Sequence, residues 1–236
     1  MKNQLIAVVL LLSIASCNNK ESDKNLTITG TIKGLNKGTL FLKKMNDTAL
    51  VTIDSITIEG DNAFKYALDI KSPEMLYLFL DRGTTNSTDN SIMFFAEPGK
   101  INIDTDLEFF FAKAKIKGSK NQELYEDYKK IVARFNDQQL QLTDEKYEAI
   151  KNKQFDLLAK NQEQFDAIVK RKYLYAINFA VNNKEYEVAP YIALSEINNA
   201  TIKYLDTIQK SMSPRVAESK YGKLLTEYVI ERKKQE

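Results

Sequence analysis

Cys17 is the only cysteine in the 236-residue chain, and it follows directly on the apolar run Leu5 to Ile14 and the two small residues Ala15 and Ser16. Lys2 supplies a positive n-region ahead of that run, so the spacing predicts a signal peptide over residues 1–16, cleaved between Ser16 and Cys17. The chemistry expected of this thiol is lipidation. The ten residues of the run, nine of them apolar, rise 1.5 Å each and cover roughly half of a 30 Å hydrocarbon core, so the run is too short to remain as a membrane span. Once the sulfur carries lipid, the mature chain has neither an internal disulfide nor a redox-active C-x-x-C.

The other candidates for chemistry are constrained by one absence. There is no histidine, which removes the commonest general base, the Ser-His and Cys-His pairs and the usual zinc ligands. Asp54 and Ser55 set an acid beside a hydroxyl, but neighbours in a strand point to opposite faces, and a structural role is expected. Asp104, Asp106 and Glu108 alternate so as to share one strand face, a conceivable calcium site; without EF-hand spacing and its glycine, a solvated edge is the expectation and no metal is assigned. Tyr125, Tyr128, Tyr147, Tyr173, Tyr175, Tyr186, Tyr191, Tyr204, Tyr221 and Tyr228 either line a carbohydrate or peptide groove or pack at helical spacing, and packing is the expected role. Phe109, Phe110 and Phe111 cannot all face one core, so at least one ring is expected to contact the helical part or a partner. No cofactor is implied. A formal charge of +2 with both signs interspersed gives no sign of nucleic-acid binding.

The elements that must position these residues divide the chain into four stretches. Residues 1–16 are the signal peptide, and the polar residues 17–25 read as a flexible tether. Residues 26–118 contain seven of the eight glycines, which punctuate β-type runs at 26–32, 39–45, 49–58, 63–70, 75–81, 91–97, 100–105 and 109–116. Eight short strands without an intervening helix predict an antiparallel β-sandwich. Pro98-Gly99 reads as a type II turn, Gly60-Asp61-Asn62 as a hairpin connection, and 83–90 as a long polar loop. After Gly118 the period changes to that of helices: residues 119–236 predict an all-helical part, and the fold class is α+β. Ser119 and Gln122 form a capping pattern. Thr143 is read as starting a second helix, which to Val181 would span about 58 Å and so is expected to break, bend or project. Pro190 opens a shorter helix, and Ser213-Pro214 starts the last.

Two resemblances add to this reading. Ile14-Ala15-Ser16-Cys17 resembles the bacterial lipoprotein pattern, which implies a Gram-negative envelope protein held at the outer membrane by palmitate-type chains, at the periplasmic face or the cell surface. Acids soon after the lipid, in Asn18-Asn19-Lys20-Glu21-Ser22-Asp23, are loosely similar to surface-export signals. The run Leu26-Thr27-Ile28-Thr29-Gly30, Gly38-Thr39-Leu40-Phe41-Leu42, Ile53-Asp54-Ser55, Phe64, Phe95-Ala96-Glu97-Pro98-Gly99 and Ile116-Lys117-Gly118-Ser119 resembles the domain of unknown function 4369. That family is typically the N-terminal part of envelope lipoproteins ending in a thioredoxin-like thiol-disulfide interchange domain. The sequence stops at Glu236, about where such a domain would begin, so its redox activity is not expected here and no catalytic residue carries over.

These readings lead to a membrane-tethered, non-enzymatic binding or scaffold module. Its alternatives are an accessory subunit working in trans with a thioredoxin-like lipoprotein, and a hydrolase using carboxylates alone.

Overall fold

The computed structural model describes residues 23–82 and 88–235. Eight strands are present: β1 Leu26–Lys33, β2 Lys37–Asn46, β3 Ala49–Glu59, β4 Ala63–Leu68, β5 Glu74–Asp81, β6 Ser91–Ala96, β7 Gly99–Asp106 and β8 Lys115–Lys117. They form two four-stranded sheets, ordered β4-β1-β7-β8 and β3-β2-β5-β6. Leu26, Ile28, Leu40, Leu42, Leu76, Leu78, Phe94 and Ile103 lie between the sheets, each with no exposed surface. This is the sandwich and α+β architecture read from the strand pattern.

Three connections differ from that reading. Gly60-Asp61-Asn62 and Pro98-Gly99 are not hairpin turns; each carries the chain from one sheet to the other. Because Pro98-Gly99 delivers β7 to the end of the sandwich where β1 also starts, these two strands pair in parallel, Leu26 opposite Gly99, within an otherwise antiparallel fold. The run 109–116 is mostly turn, and only Lys115–Lys117 pairs as a strand.

Six helices follow: α1 Lys120–Lys151, α2 Asp156–Asn182, α3 Val188–Ser195, α4 Ile202–Ser211, α5 Pro214–Ala217 and α6 Lys220–Gln235. Ser119 caps α1 as expected, accepting from the Gln122 N–H at 3.0 Å. Thr143 does not start a helix. Its hydroxyl donates to the Gln139 carbonyl one turn back at 2.8 Å, and α1 continues to Lys151. The break comes at 152–155, where Lys153 has φ +56° and the Gln154 N–H returns to the Ala149 carbonyl at 2.8 Å. Pro190 is the third residue of α3, inside the first turn where a missing N–H costs nothing. The Ser213-Pro214 start holds, but α5 ends after one turn, because Ser219 begins α6 by accepting from the Gly222 N–H at 3.2 Å.

β5 and β6 show how the helices join the sheets. Leu76, Leu78, Leu80, Ile92 and Phe94 face the sandwich, while Met75, Tyr77, Met93 and Phe95 face a second core formed with Tyr125, Tyr128, Ile177, Ile192, Leu205, Val216, Tyr221 and Leu225. β5 and β6 are covered on both faces, which is why MLYLFL and IMFF are nearly uninterrupted apolar runs.

Candidate functional site

One end of the sandwich collects most of the polar chemistry. The register places the starts of β1, β5 and β7, the β2–β3 turn and the end of β6 together there. The α1 and α6 N-termini join them, since the Lys120 N–H donates to Glu97 Oε1 at 2.6 Å and the Lys220 N–H to Ser72 Oγ at 3.1 Å. We call this end the base. Cys17 and Ser16, the lipidation and cleavage residues, lie outside the described residues, as does 83–87 of the polar loop. The chain enters at the base, and its last two residues before β1 are held in place. Lys24 Nζ meets Asp69 Oδ2 at 2.7 Å, and the Asn25 side chain exchanges hydrogen bonds with the Ile70 carbonyl and N–H at 2.8 and 3.0 Å. Lys24 and Asn25, inside the stretch read as tether, are therefore part of the fold. The Lys24 ammonium holds the Asp69 carboxyl below its usual value.

Behind the base runs a buried polar network. Glu97 satisfies the first N–H groups of α1, giving the orphan donors of a helix N-terminus an anionic acceptor. Asn121 Nδ2 donates to Glu97 Oε2 at 2.8 Å and to Glu187 Oε2 at 3.1 Å, and its Oδ1 accepts from the Val188 N–H at 2.9 Å. The Glu187 side chain is 1% exposed and pairs with the Arg215 guanidinium, which also donates to the Glu185 carbonyl. Gln122 Oε1 accepts from the Phe95 N–H of the edge strand at 2.8 Å. Glu97 and Gln122 are thus spent on joining strand to helix, and Glu187 and Arg215 on joining helical segments to one another.

On the open side of the base is a groove of about 780 Å³ between the β2–β3 turn, the 69–74 segment, α3 and α6. Met75, Tyr77, Tyr191, Tyr221 and Leu224 give it apolar walls; Lys44, Lys71, Lys220 and Lys223 are matched by Asp47, Asp69, Glu74 and Glu227. Lys220 Nζ pairs with Glu74 at 2.6 Å. Tyr191 and Tyr221 meet edge-on at 5.0 Å, Phe95 packs edge-on against both, and Tyr221 Oη accepts from the Met75 N–H at 2.9 Å. Burial pushes the Tyr125 hydroxyl up to about 12 and raises those of Tyr191 and Tyr221, so these phenols stay protonated donors and not bases. The groove is arranged for contact, with an aromatic wall and charges of both signs.

The other residues singled out from the sequence lie apart. Asp54 Oδ1 accepts from the Ser55 N–H at 2.7 Å on the exposed strand β3. Asp104 accepts from the N–H and hydroxyl of Thr31, and Asp106 pairs with Lys113 at 2.8 Å. Glu108 lies in the following turn. Among the described residues no group of three or more potential ligands is placed to hold a metal. Phe110 is buried in the sandwich, whereas Phe109 and Phe111 are 45% and 55% exposed, with Lys113 Nζ 4.3 Å from the Phe109 ring. None of the three belongs to the core shared with the helices; Met75 and Phe95 make that contact instead. Strand alternation does not apply to a turn, so the core shared with the helices is made without Phe109 to Phe111, and the exposed Phe109 and Phe111 leave the partner half of the expectation open. Of the ten tyrosines, Tyr125, Tyr128 and Tyr221 are buried and Tyr147 and Tyr204 exposed. Asn121, Glu187 and Arg215 carried no signal beyond a charged residue directly before the apolar run Val188–Ala193.

The fold defines a class: a two-sheet sandwich whose second sheet is backed by a helical layer. Residues 26–125 match the model of the family described as Domain of unknown function (DUF4369), in agreement with the resemblance read from the strand motifs. The match covers the sandwich and the first turns of α1, and the rest of the helical layer lies beyond it. Comparison with curated proteins returns no match.

Proposed function

We propose that the chain is a lipid-anchored envelope protein whose folded part is a non-enzymatic binding or scaffold module. The observation that carries this reading is how the chemistry-bearing side chains are used. Glu97, Asn121 and Gln122 hold sheet to helix, Glu187 and Arg215 tie helical segments to one another, and the groove at the base presents aromatic rings and paired charges without a nucleophile beside a base. The anchor rests on the Ile14-Ala15-Ser16-Cys17 tetrapeptide behind its apolar run. Three acyl chains on Cys17 would meet the two-signal requirement for lasting attachment, and the outer membrane is the proposed site.

Metabolic labelling with a palmitate analogue tests the anchor. The wild-type chain takes label and sediments with membranes, and Cys17→Ala does neither; label on Cys17→Ala would sink the reading. Protease shaving of intact cells separates the periplasmic face from the cell surface. Hydrolase or transferase turnover by the purified chain would overturn the non-enzymatic part.

The resemblance to envelope lipoproteins that end in a thioredoxin-like domain supports a second reading: an accessory subunit acting in trans with a thioredoxin-like lipoprotein. It requires copurification of such a partner with the native chain.

A further inference from the structure

We infer that the base of the sandwich is a membrane-docking surface, seated on the bilayer to which Cys17 is tied. This rests on the lipid-anchor reading above. Its first support is the length of chain outside the described fold. Seven peptide units separate Cys17 from Lys24, and an extended chain spans at most about 25 Å over that length. Lys24 is itself fixed to Asp69, which lines the groove at the base. The lipid therefore keeps this end of the molecule within about 25 Å of the headgroups.

The second support is what the base exposes. Met45 and Leu50 are cross-strand partners at the β2–β3 turn, 37% and 49% exposed, and Leu224 of α6 is 43% exposed. Met45 and Leu224 line the same groove. Lys44, Lys71 and Lys223 stand beside these side chains and can lay their methylene stems along apolar surface while their ammonium groups stay in water. The four lysines of the groove are balanced by four carboxylates, so the contact is interfacial burial and not attraction to anionic lipid. Three partly exposed apolar side chains are a weak anchor alone. They suffice here because the lipid tether makes the contact intramolecular, with an effective concentration in the millimolar range. Seated this way, α1 starts at the bilayer and its 32 residues run about 48 Å from that start.

Cys17 makes the test simple, because its lipidated sulfur leaves an introduced cysteine as the only free thiol. The lipidated full-length chain is reconstituted in phosphatidylethanolamine–phosphatidylglycerol nanodiscs as Leu50→Cys, Leu224→Cys or Leu140→Cys, each labelled with an environment-sensitive fluorophore. Leu140, 63% exposed on α1, is the reference. The expected result is that the probes at 50 and 224 are quenched by a lipid-borne quencher and shielded from an aqueous one, that the probe at 140 behaves oppositely, and that lowering the phosphatidylglycerol content changes neither. Lipidated protein whose three probes are equally open to water overturns the docking while leaving the anchor intact. Shielding at 50 and 224 in the unlipidated chain starting at Asn18, in buffer without lipid or detergent, assigns the surface to a second copy and also overturns it. An unlipidated Cys17, detected as a second labelled thiol, overturns the anchor and the docking together.

Discussion

The Phe95 N–H donates to the side-chain oxygen of Gln122 at 2.8 Å, joining the edge strand β6 to the first turn of α1. An edge strand normally leaves its outward N–H groups to water or to another chain. Here a glutamine side chain, 1% exposed, takes that role. Gln122→Ala removes the acceptor and leaves a buried donor unpaired, so we expect a loss of about 1–3 kcal/mol. Urea unfolding with an unchanged m-value is the check; a loss within a few tenths would show that the bond contributes nothing.

Tyr128 presents the opposite case. Its ring is 1% exposed, stacked on Tyr175 at 5.6 Å and tilted against Phe179 at 5.0 Å, but its buried hydroxyl has no hydrogen-bond partner among the described residues. Tyr128→Phe keeps the packing and removes the desolvated hydroxyl, so the variant is expected to be more stable by about 1 kcal/mol. A lower thermal midpoint would mean that the hydroxyl is satisfied after all.

Gly222 allows α6 to approach α5 closely. A Cβ built there would lie 2.0 Å from the Val216 carbonyl oxygen and 2.7 Å from that of Ala217. Both are backbone atoms and cannot rotate away. Gly222→Ala is expected to lose about 1–3 kcal/mol, the range of an overpacked core, although alanine is the better helix former. Stability equal to wild type would remove the close approach from the account of this packing.

Alkaline pH should destabilise the fold. Burial raises Tyr125 from its ordinary 10.0 to about 12 and raises Tyr128, Tyr191 and Tyr221 as well. The sign follows from proton binding: above pH 10 the unfolded chain loses phenolic protons that the folded chain keeps, so N is progressively disfavoured. Stability from these groups is complete below pH 10 and falls as pH rises toward 12. Tyrosinate absorbance of the native chain, uncomplicated by tryptophan, should show these tyrosines titrating only with unfolding. Free titration of all twelve near pH 10 would contradict the burial.

Much of the fold can be read along the chain because its signals are local. The glycine-punctuated runs, the change of period after Gly118, the Ser119 cap and the strand motifs that match the family model all depend on neighbours within a few residues. Thr143 shows the limit of such signals. The same hydroxyl can cap a helix or bond one turn back within it, and packing of α1 against α2 selects the second.

What the sequence alone determined here is the order of elements, the sandwich followed by helices, and the shortage of catalytic groups set by one cysteine and no histidine. Only the tertiary structure decided that Gly60 and Pro98 switch sheets, that Met75 and Phe95 and not Phe109 to Phe111 meet the helices, and that Glu97, Asn121 and Glu187 form one network. The physical reason is separation. Asn121 reaches Glu97 across 24 positions and Glu187 across 66, and hydrogen bonds between residues so far apart leave no periodicity in the chain that carries them.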